Sequence, residues 1–354
     1  MLFLFMDPNL EILSVPGYEE VYKISHLPTG LLGVIAVHST LRGPSLGGVR
    51  ICAYKNFESA LNDALRLSKG MTYKAAISDA ELGGGKAVII ADPNGPISTD
   101  LLHAYAECVN RLEGRYYTAE DSGITPLQLL RVAEKTPYIV GLEREGSSGN
   151  PCPFTAWGVL RAIEATLFEI YGSPLIEGKT IAIQGLGAVG MRIAEILFWH
   201  GAHLIVTDVR EEKIFEAVDR FKAKAVDKDE ILSIPCDILS PSAYGGILNQ
   251  KTIPALQCRA IVGCANNQLL EKTDGLLLKE RGILYAPDYV VNAGGVINVQ
   301  FELRKEGYSP AKARDEVRKI YTRLQNVYSL AKKENISTDE AAFLIAEEKI
   351  YSHV

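Results

Sequence analysis

Apolar and polar positions change rhythm several times along the chain. Between residues 31 and 54 two dense apolar runs, LLGVIAVHS and GVRICAY, flank TLRGPSLGG and predict strands joined by a turn-rich connection. FESALNDALRLSKGMTYKAA then spaces Phe57, Leu61, Leu65, Leu67 and Met71 along one helical face. KAVIIADP predicts a short buried strand that starts at Lys86, with three glycines ahead of it as a hinge. TDLLHAYAECVNRLEG predicts a helix capped by Thr99 or Asp100 and stopped at Gly114. RYYTAEDSG predicts a strand with an acidic tip, and TPLQLLRVAEKT a short helix with Pro126 near its start.

EREGSSGNPCP, residues 143–153, is a shift to glycine, serine and proline and marks a domain boundary. A long helix, FTAWGVLRAIEATLFEIYG, follows it. Strand-like runs (TIAIQ, HLIVTDV, CDILSPS, RAIVGCAN, GILYAPD) then alternate with helical ones, the pattern of a doubly wound parallel sheet. The last stretch is helical. Ser309 and Pro310 open a run with apolar residues at 313, 317, 320, 324, 327 and 331, and STDEAAFLIAEEKI starts a final helix. The expected fold is α/β in two domains. Residues 1–143 form an α/β substrate and oligomerisation domain, to which a C-terminal helix at about 335–354 returns. Residues 144–334 form a Rossmann-type dinucleotide domain, with a cleft between the two.

The 354 residues carry a net charge of -6 and no basic block, so nucleic acid is not an expected partner. The apolar opening, MLFLFM, is too short for a signal peptide or a membrane span and predicts a first strand or a buried segment. Six cysteines without a CxxC pair, and scattered histidines, predict thiols in a reducing cytoplasm and no metal site.

Chemistry concentrates in two places. Gly185, Gly187 and Gly190 form G-x-G-x-x-G between an apolar strand and an amphipathic helix, with Asp208 at the end of the next strand. The glycines serve a tight turn, a close approach to pyrophosphate, and close helix packing in turn; Ala188 and Val189 start the helix whose N–H groups meet the phosphates. Asp208 suits an adenosine ribose and opposes a 2′-phosphate, which favours NAD, with Arg210 close by. In the first half, Lys74, Lys86 and Asp121 supply two cations and a carboxylate. Burial and a second cation lower a lysine's pKa, which suits Lys86 to acid/base work, while Lys74 stays charged and holds a substrate carboxylate. Two such sites in one chain point to hydride transfer at a carbon next to a carboxylate.

MTYKAAISDAELGGGKAVIIADP, YYTAEDSGIT, SGNPCPFTAWGV, IAIQGLGAVG, CDILSPSAYGGIL, GCANNQL and YAPDYVVNAGGVINV together resemble the leucine/phenylalanine/valine branch of the Glu/Leu/Phe/Val amino-acid dehydrogenases, closest to its leucine-acting members. The resemblance implies NAD-dependent, reversible oxidative deamination of a branched-chain L-amino acid to its 2-oxo acid and ammonia, by a homo-oligomer. It implies that Lys74 binds the substrate carboxylate, that Lys86 activates water, and that Asp121 holds the amino group and shuttles its proton. Leu46, Gly47, Ala119, Val296 and Val299 would line the side-chain pocket, and Thr155, Asn266 and Asn292 would lie near nicotinamide and substrate. These lining residues are small and aliphatic, which disfavours a glutamate substrate. The aromatic branch usually has glycine where Ala119 stands. Ser122, Cys152 and Cys264 depart from the family's usual residues, and Asp79 and Glu81 add carboxylates ahead of Lys86. An aromatic amino-acid dehydrogenase and a catalytically silent NAD-binding sensor are the alternatives, separable by NADH formation with leucine and with phenylalanine.

Overall fold

A computed structural model describes residues 7–352; the apolar opening MLFLFM lies outside them. The chain forms two compact units. The first comprises residues up to Asn150, Val299–Tyr308 and the segment from Glu347; the second comprises Pro151–Asn298 and Ser309–Ala346.

In the first unit, β1 (Asn9–Ile12), β2 (Glu20–His26), β3 (Leu31–Ser39), β4 (Ser45–Leu46), β5 (Val49–Cys52), α1 (Phe57–Ile77), β6 (Gly83–Ile90), α2 (Thr99–Asn110), β7 (Tyr116–Tyr117) and α3 (Pro126–Ala133) follow in order. They build a mixed sheet ordered β1-β2-β3-β6-β4-β7, with β5 also on β6. The first three pairings are antiparallel, and β4 and β5 run parallel to β6. LLGVIAVHS shows little polar alternation because both of its faces are covered. Ile35 and Val37 point to a core shared with Tyr105 and Leu129 of α2 and α3, while Val34 and Ala36 meet Ala60 and Ala64 of α1.

Several expectations shift in detail. The cap of α2 is Ser98, whose hydroxyl accepts from the Leu101 amide, rather than Thr99 or Asp100. The strand read in RYYTAEDSG shortens to Tyr116–Tyr117. The three glycines before Lys86 are not a hinge, because they are already inside β6. A Cβ on Gly84 would fall on the amide nitrogen of Thr72 and the carbonyl oxygen of Ser68 in α1. A Cβ on Gly85 would come within 2.7 Å of the Tyr116 ring on the other face. Glycine lets a helix and a tyrosine press on the same strand from opposite sides.

The second unit starts with α4 (Cys152–Tyr171) and alternates β8 (Thr180–Gln184), α5 (Ala188–Trp199), β9 (His203–Thr207), α6 (Glu211–Phe221), β10 (Lys224–Ala225), β11 (Cys236–Pro241), β12 (Cys258–Ile261), α7 (Asp274–Glu280) and β13 (Leu284–Tyr285). The sheet is six-stranded and parallel, ordered β10-β9-β8-β11-β12-β13. That is the doubly wound dinucleotide-binding order, with its switch point between β8 and β11. Short helices α8 (Asp288–Val291) and α9 (Gly294–Val299) follow, then α10 (Pro310–Arg318), α11 (Ile320–Glu334) and α12 (Thr338–Tyr351). Ser309 caps α10 as expected, but the long helical run breaks at Lys319, where the buried Arg323 reaches back to the Glu316 carbonyl at 3.3 Å.

Asp339, in the first turn of α12, is pushed up to about 6 by burial and then by the neighbouring Asp288. A carboxyl whose folded pKa is raised holds its proton longer in the folded state. Its contribution is therefore lost as pH rises from about 4 to about 6. Asp339→Asn should leave thermal stability nearly unchanged below pH 4 and raise it by about 1–2 kcal/mol above pH 7. Calorimetric Tm against pH checks this, and an equal gain at both ends would contradict it.

Candidate active site

Lys86 sits in mid-strand on β6, opposite Ala36 of β3, and is 6% exposed. Alternation turns it to the α1 side of the sheet, with Val88. Its ammonium donates to Asp121 Oδ2. Asp121 reaches it from the segment after β7, where Val49 N donates to Ala119 O at 2.9 Å. At Gly47 and Gly48 the chain runs hard against the segments that carry both residues. A Cβ on Gly47 would lie 3.2 Å from Lys86 Cα, and one on Gly48 would lie 2.9 Å from Asp121 Cβ. Leu46 is buried beside them on β4, paired with Gly84 and Tyr117. Ala119 is half-buried.

The same Asp121 oxygen accepts from Arg50 Nε at 3.2 Å. Arg50 Nη1 donates to Asp63 Oδ2 at 3.0 Å, and Tyr54 donates its phenol to that oxygen at 2.7 Å. Burial lowers the Lys86 pKa; Asp121 works against this and Arg50 adds to it. For Asp121 burial raises the pKa, but the charges of Lys86 and Arg50 outweigh it and the net shift is downward. Arg50 is thus a cation that opposes Lys86, one that the sequence reading, which pointed to Lys74, did not name. Lys74 is half-buried in the last turn of α1. Asp79 and Glu81 do not load Lys86: they pair with Lys349 at 2.5 Å and Arg304 at 2.9 Å. Arg50, Asp63 and Tyr54 had no role in the sequence reading. The available signal was an arginine between Val49 and Ile51, both of which point into the core.

In the second unit the three glycines divide their work as the motif predicts. Gly185 has φ +99° and would strike Ala243 with a side chain. Gly187 has nothing within 4 Å of where a Cβ would stand, and it begins α5 without a side-chain cap. Gly190 packs against the Gly185 carbonyl. The open face and the uncapped N–H groups at Ala188 and Val189 fit a dinucleotide pyrophosphate. Asp208 stands at the end of β9. Its oxygens accept from Leu186 N at 2.6 Å, Arg210 N at 2.9 Å and Arg210 Nε at 3.1 Å. Burial raises the Asp208 pKa, yet these bonds, Arg210's first, bring it below the ordinary carboxylate range.

Beyond the carboxyl ends of the strands, Asn292 donates to Asn266 Oδ1 at 2.9 Å and Cys264 O at 3.2 Å, while its own buried Oδ1 has no partner. Such an orphan acceptor in a dinucleotide domain fits an amide donor from a ligand. Thr155 lies in the first turn of α4, its hydroxyl 3.2 Å from where a Cβ on Gly295 would be. Val296 and Val299 stand one turn apart on α9, both buried. Val299 belongs to the first unit, beside Gly141, and Val296 to the second.

Two family descriptions match the chain. "Glu/Leu/Phe/Val dehydrogenase, dimerisation domain" covers residues 23–138, and "Glutamate/Leucine/Phenylalanine/Valine dehydrogenase" covers residues 202–353. A leucine dehydrogenase of Geobacillus stearothermophilus is 46% identical over 334 residues, 94% of this chain and 90% of that protein. A phenylalanine dehydrogenase of Caldalkalibacillus thermarum is 42% identical over 345 residues, 95% of this chain and 92% of that protein. The crystal structure of L-tryptophan dehydrogenase from Nostoc punctiforme superimposes with a TM-score of 0.83 at 42% identity, covering 95% of this chain and 96% of that one.

Proposed function

The chain belongs to the Glu/Leu/Phe/Val dehydrogenase family, and on that footing we propose that it oxidatively deaminates branched-chain L-amino acids, with NAD as its cofactor. The observation that carries the chemistry is the buried Lys86 sharing an oxygen with Arg50 on an ionised Asp121. When bound, the dinucleotide accepts the hydride that leaves the substrate's α-carbon. The chain supplies the rest. Lys74 holds the substrate carboxylate as a point charge. Asp121 takes a proton from the amino group, which leaves an iminium. Lys86 in its neutral form takes a proton from the water that attacks the iminium carbon. The tetrahedral adduct then loses ammonia, which leaves with a proton returned through Asp121. Water supplies the oxo oxygen: its hydroxyl proton leaves with the ammonia as the carbonyl forms, and Lys86 releases the other to solvent, so the products are the 2-oxo acid, ammonium, reduced dinucleotide and one proton. Gly185, Gly187, Ala188, Val189 and Gly190 hold the pyrophosphate; Thr155, Asn266 and Asn292 orient the nicotinamide and the substrate.

For the substrate side chain we assign Leu46, Gly47, Ala119, Val296 and Val299. None can meet a side-chain charge. Leucine, valine and isoleucine differ by amounts worth only about 1–3 kcal/mol of discrimination, so activity should overlap among them. The preference for NAD rests on Asp208, whose charge Arg210 offsets only in part from an exposed position. A homo-oligomer is part of the same reading, supported by the match to a dimerisation domain, and so is a place in the cytoplasm.

A second reading, an aromatic substrate, draws on the phenylalanine and tryptophan dehydrogenases at similar identity; the methyl of Ala119 stands against it. Reduced-dinucleotide formation with leucine, valine, isoleucine, phenylalanine, tryptophan and glutamate, each with NAD and NADP, tests both. We expect the branched-chain substrates with NAD to lead. Faster turnover of phenylalanine or tryptophan selects the second reading, and equal rates with NADP remove the role given to Asp208.

A further inference from the structure

Asp121 is held asymmetrically. Its Oδ2 takes both the Lys86 ammonium and Arg50 Nε, whereas its Oδ1 has no cation and the Ser122 hydroxyl at 3.5 Å, where a hydrogen bond is weak; the Ser122 amide adds a further, uncharged contact to the carboxylate. Arg50 cannot swing away freely. Its Nη1 is fixed to Asp63, whose two oxygens are fixed in turn by Tyr54 at 2.7 Å and Arg66 at 3.0 Å. The guanidinium is thus clamped between two carboxylates, one on α1 and one beside Lys86.

We infer that Arg50 is a positioning residue for the deamination: it pins Asp121 by Oδ2, so that Oδ1 is the oxygen presented to the substrate's amino group, and it sets a fixed positive charge against Lys86. This rests on the reading of Lys86 and Asp121 given above. The planar fork makes arginine suited to the task, since one ammonium cannot span Asp121 and Asp63 together. The electrostatics agree. Burial disfavours the charge on Lys86 most, Asp121 restores part of it, and Arg50 opposes it. Other charged groups face Lys86 as well. From α1 come Asp63, which favours the charge on Lys86 and is shared by Arg50 and Arg66, and Lys74 in the last turn. From β3 comes His38, bonded to Thr72 and lowered by burial to about 4, hence neutral. From β7 comes Tyr116, whose phenol donates to Gly47 O at 2.5 Å.

The test compares kcat and KM against pH for the wild type, Arg50→Gln, Arg50→Lys and Lys86→Ala, with Tm measured for each. Arg50→Gln should lower kcat by about 10- to 100-fold, the range of a weakened acid/base step, with a smaller change in amino-acid KM. The rise of kcat with pH should move to higher pH, because Lys86 loses an opposing charge. Arg50→Lys should return that rise towards its wild-type position while recovering kcat only in part. An Arg50→Gln profile that stays in place, with kcat within about twofold, overturns the inference, as does a displaced profile that lysine fails to restore. Should the glutamine variant not fold, a full kcat in Arg50→Lys overturns it equally. Lys86→Ala separates the two levels: full kcat there removes the reading of the pair itself, whereas loss there with an unchanged Arg50→Gln removes only the role of Arg50.

Discussion

Lys86→Ala should lower kcat by a factor on the order of 10² to 10⁴, the range for losing a general acid/base, while dinucleotide affinity stays near wild type. Lys86 is 6% exposed and bonded to a charged partner, so its proton is exchanged in a site with little competing water. In deamination the neutral amine is the active form. Burial moves that form towards lower pH, so the rise of kcat with pH should disappear in the variant rather than shift. The variant should fold, because Asp121 keeps Arg50 as a counter-charge and does not become a lone buried anion. Lys74→Ala should act differently and mainly raise the amino-acid KM, since it removes a charge met equally by ground and transition states. Steady-state kinetics decide the matter. A Lys86→Ala enzyme with near-full kcat would make the lysine a structural cation and leave the chemistry to other groups.

Gly84→Val should abolish soluble, folded protein, and Gly84→Ala should already cost more than about 4 kcal/mol, the range reserved for backbone-level clashes and ruined cores. The added carbon meets the amide of Thr72 and the carbonyl of Ser68, which belong to the backbone of α1 and cannot turn aside as a side chain would. Displacing α1 would also carry Lys74 and Asp63 away from β6. Gly187→Ala is the matched control, since open space surrounds that position; it should fold with near wild-type Tm and lose dinucleotide affinity instead. Thermal unfolding and dinucleotide titration of the three variants check this pair of expectations. A Gly84→Ala protein with wild-type Tm would refute the packing account.

The two glycine clusters also mark how far sequence alone reaches. In the second unit, periodicity and spacing announce the turn, because the G-x-G-x-x-G pattern and its flanking strand and helix are contiguous in sequence. Gly190 packs on the Gly185 carbonyl inside the motif; only the contacts with Ser242 and Ala243, just past β11, need the fold. In the first unit the triple glycine looked like a hinge before Lys86, and it is a strand. Its reason lies in Thr72, Ser68 and Tyr116, which are distant in sequence and reach β6 only through the fold. The same limit hid Arg50. A single arginine in an apolar strand says nothing of its partners until Asp63 and Asp121 arrive from two other segments. Lys86 and Asp121 were legible because their residue types carry chemistry by themselves. The part played by Arg50 was not, since charges act through distance and the sequence prints only order.

One carboxylate shows what the discontinuous first unit demands of the growing chain. Glu302 accepts from Gly141 N at 2.8 Å, Ser148 N at 2.9 Å and Ser147 Oγ at 2.9 Å, and also from the Ser148 hydroxyl. Arg42 likewise donates to Lys349 O at 2.7 Å, and Tyr73 to Glu347 at 3.1 Å. β6, with Lys86, leaves the ribosome early, but the acceptors that secure the 141–148 segment and the end of α1, Glu302 and Glu347, are made much later. Elongation at about 5–20 residues per second puts an interval of roughly ten seconds or more between β6 and the last turn of α12. During that interval the mixed sheet must persist without the bonds that Arg42 and Tyr73 make to the end of α12. The first unit is therefore completed only after the second has been made, and truncation before Glu347 would remove the carboxylate to which Tyr73 donates and the carbonyl to which Arg42 donates.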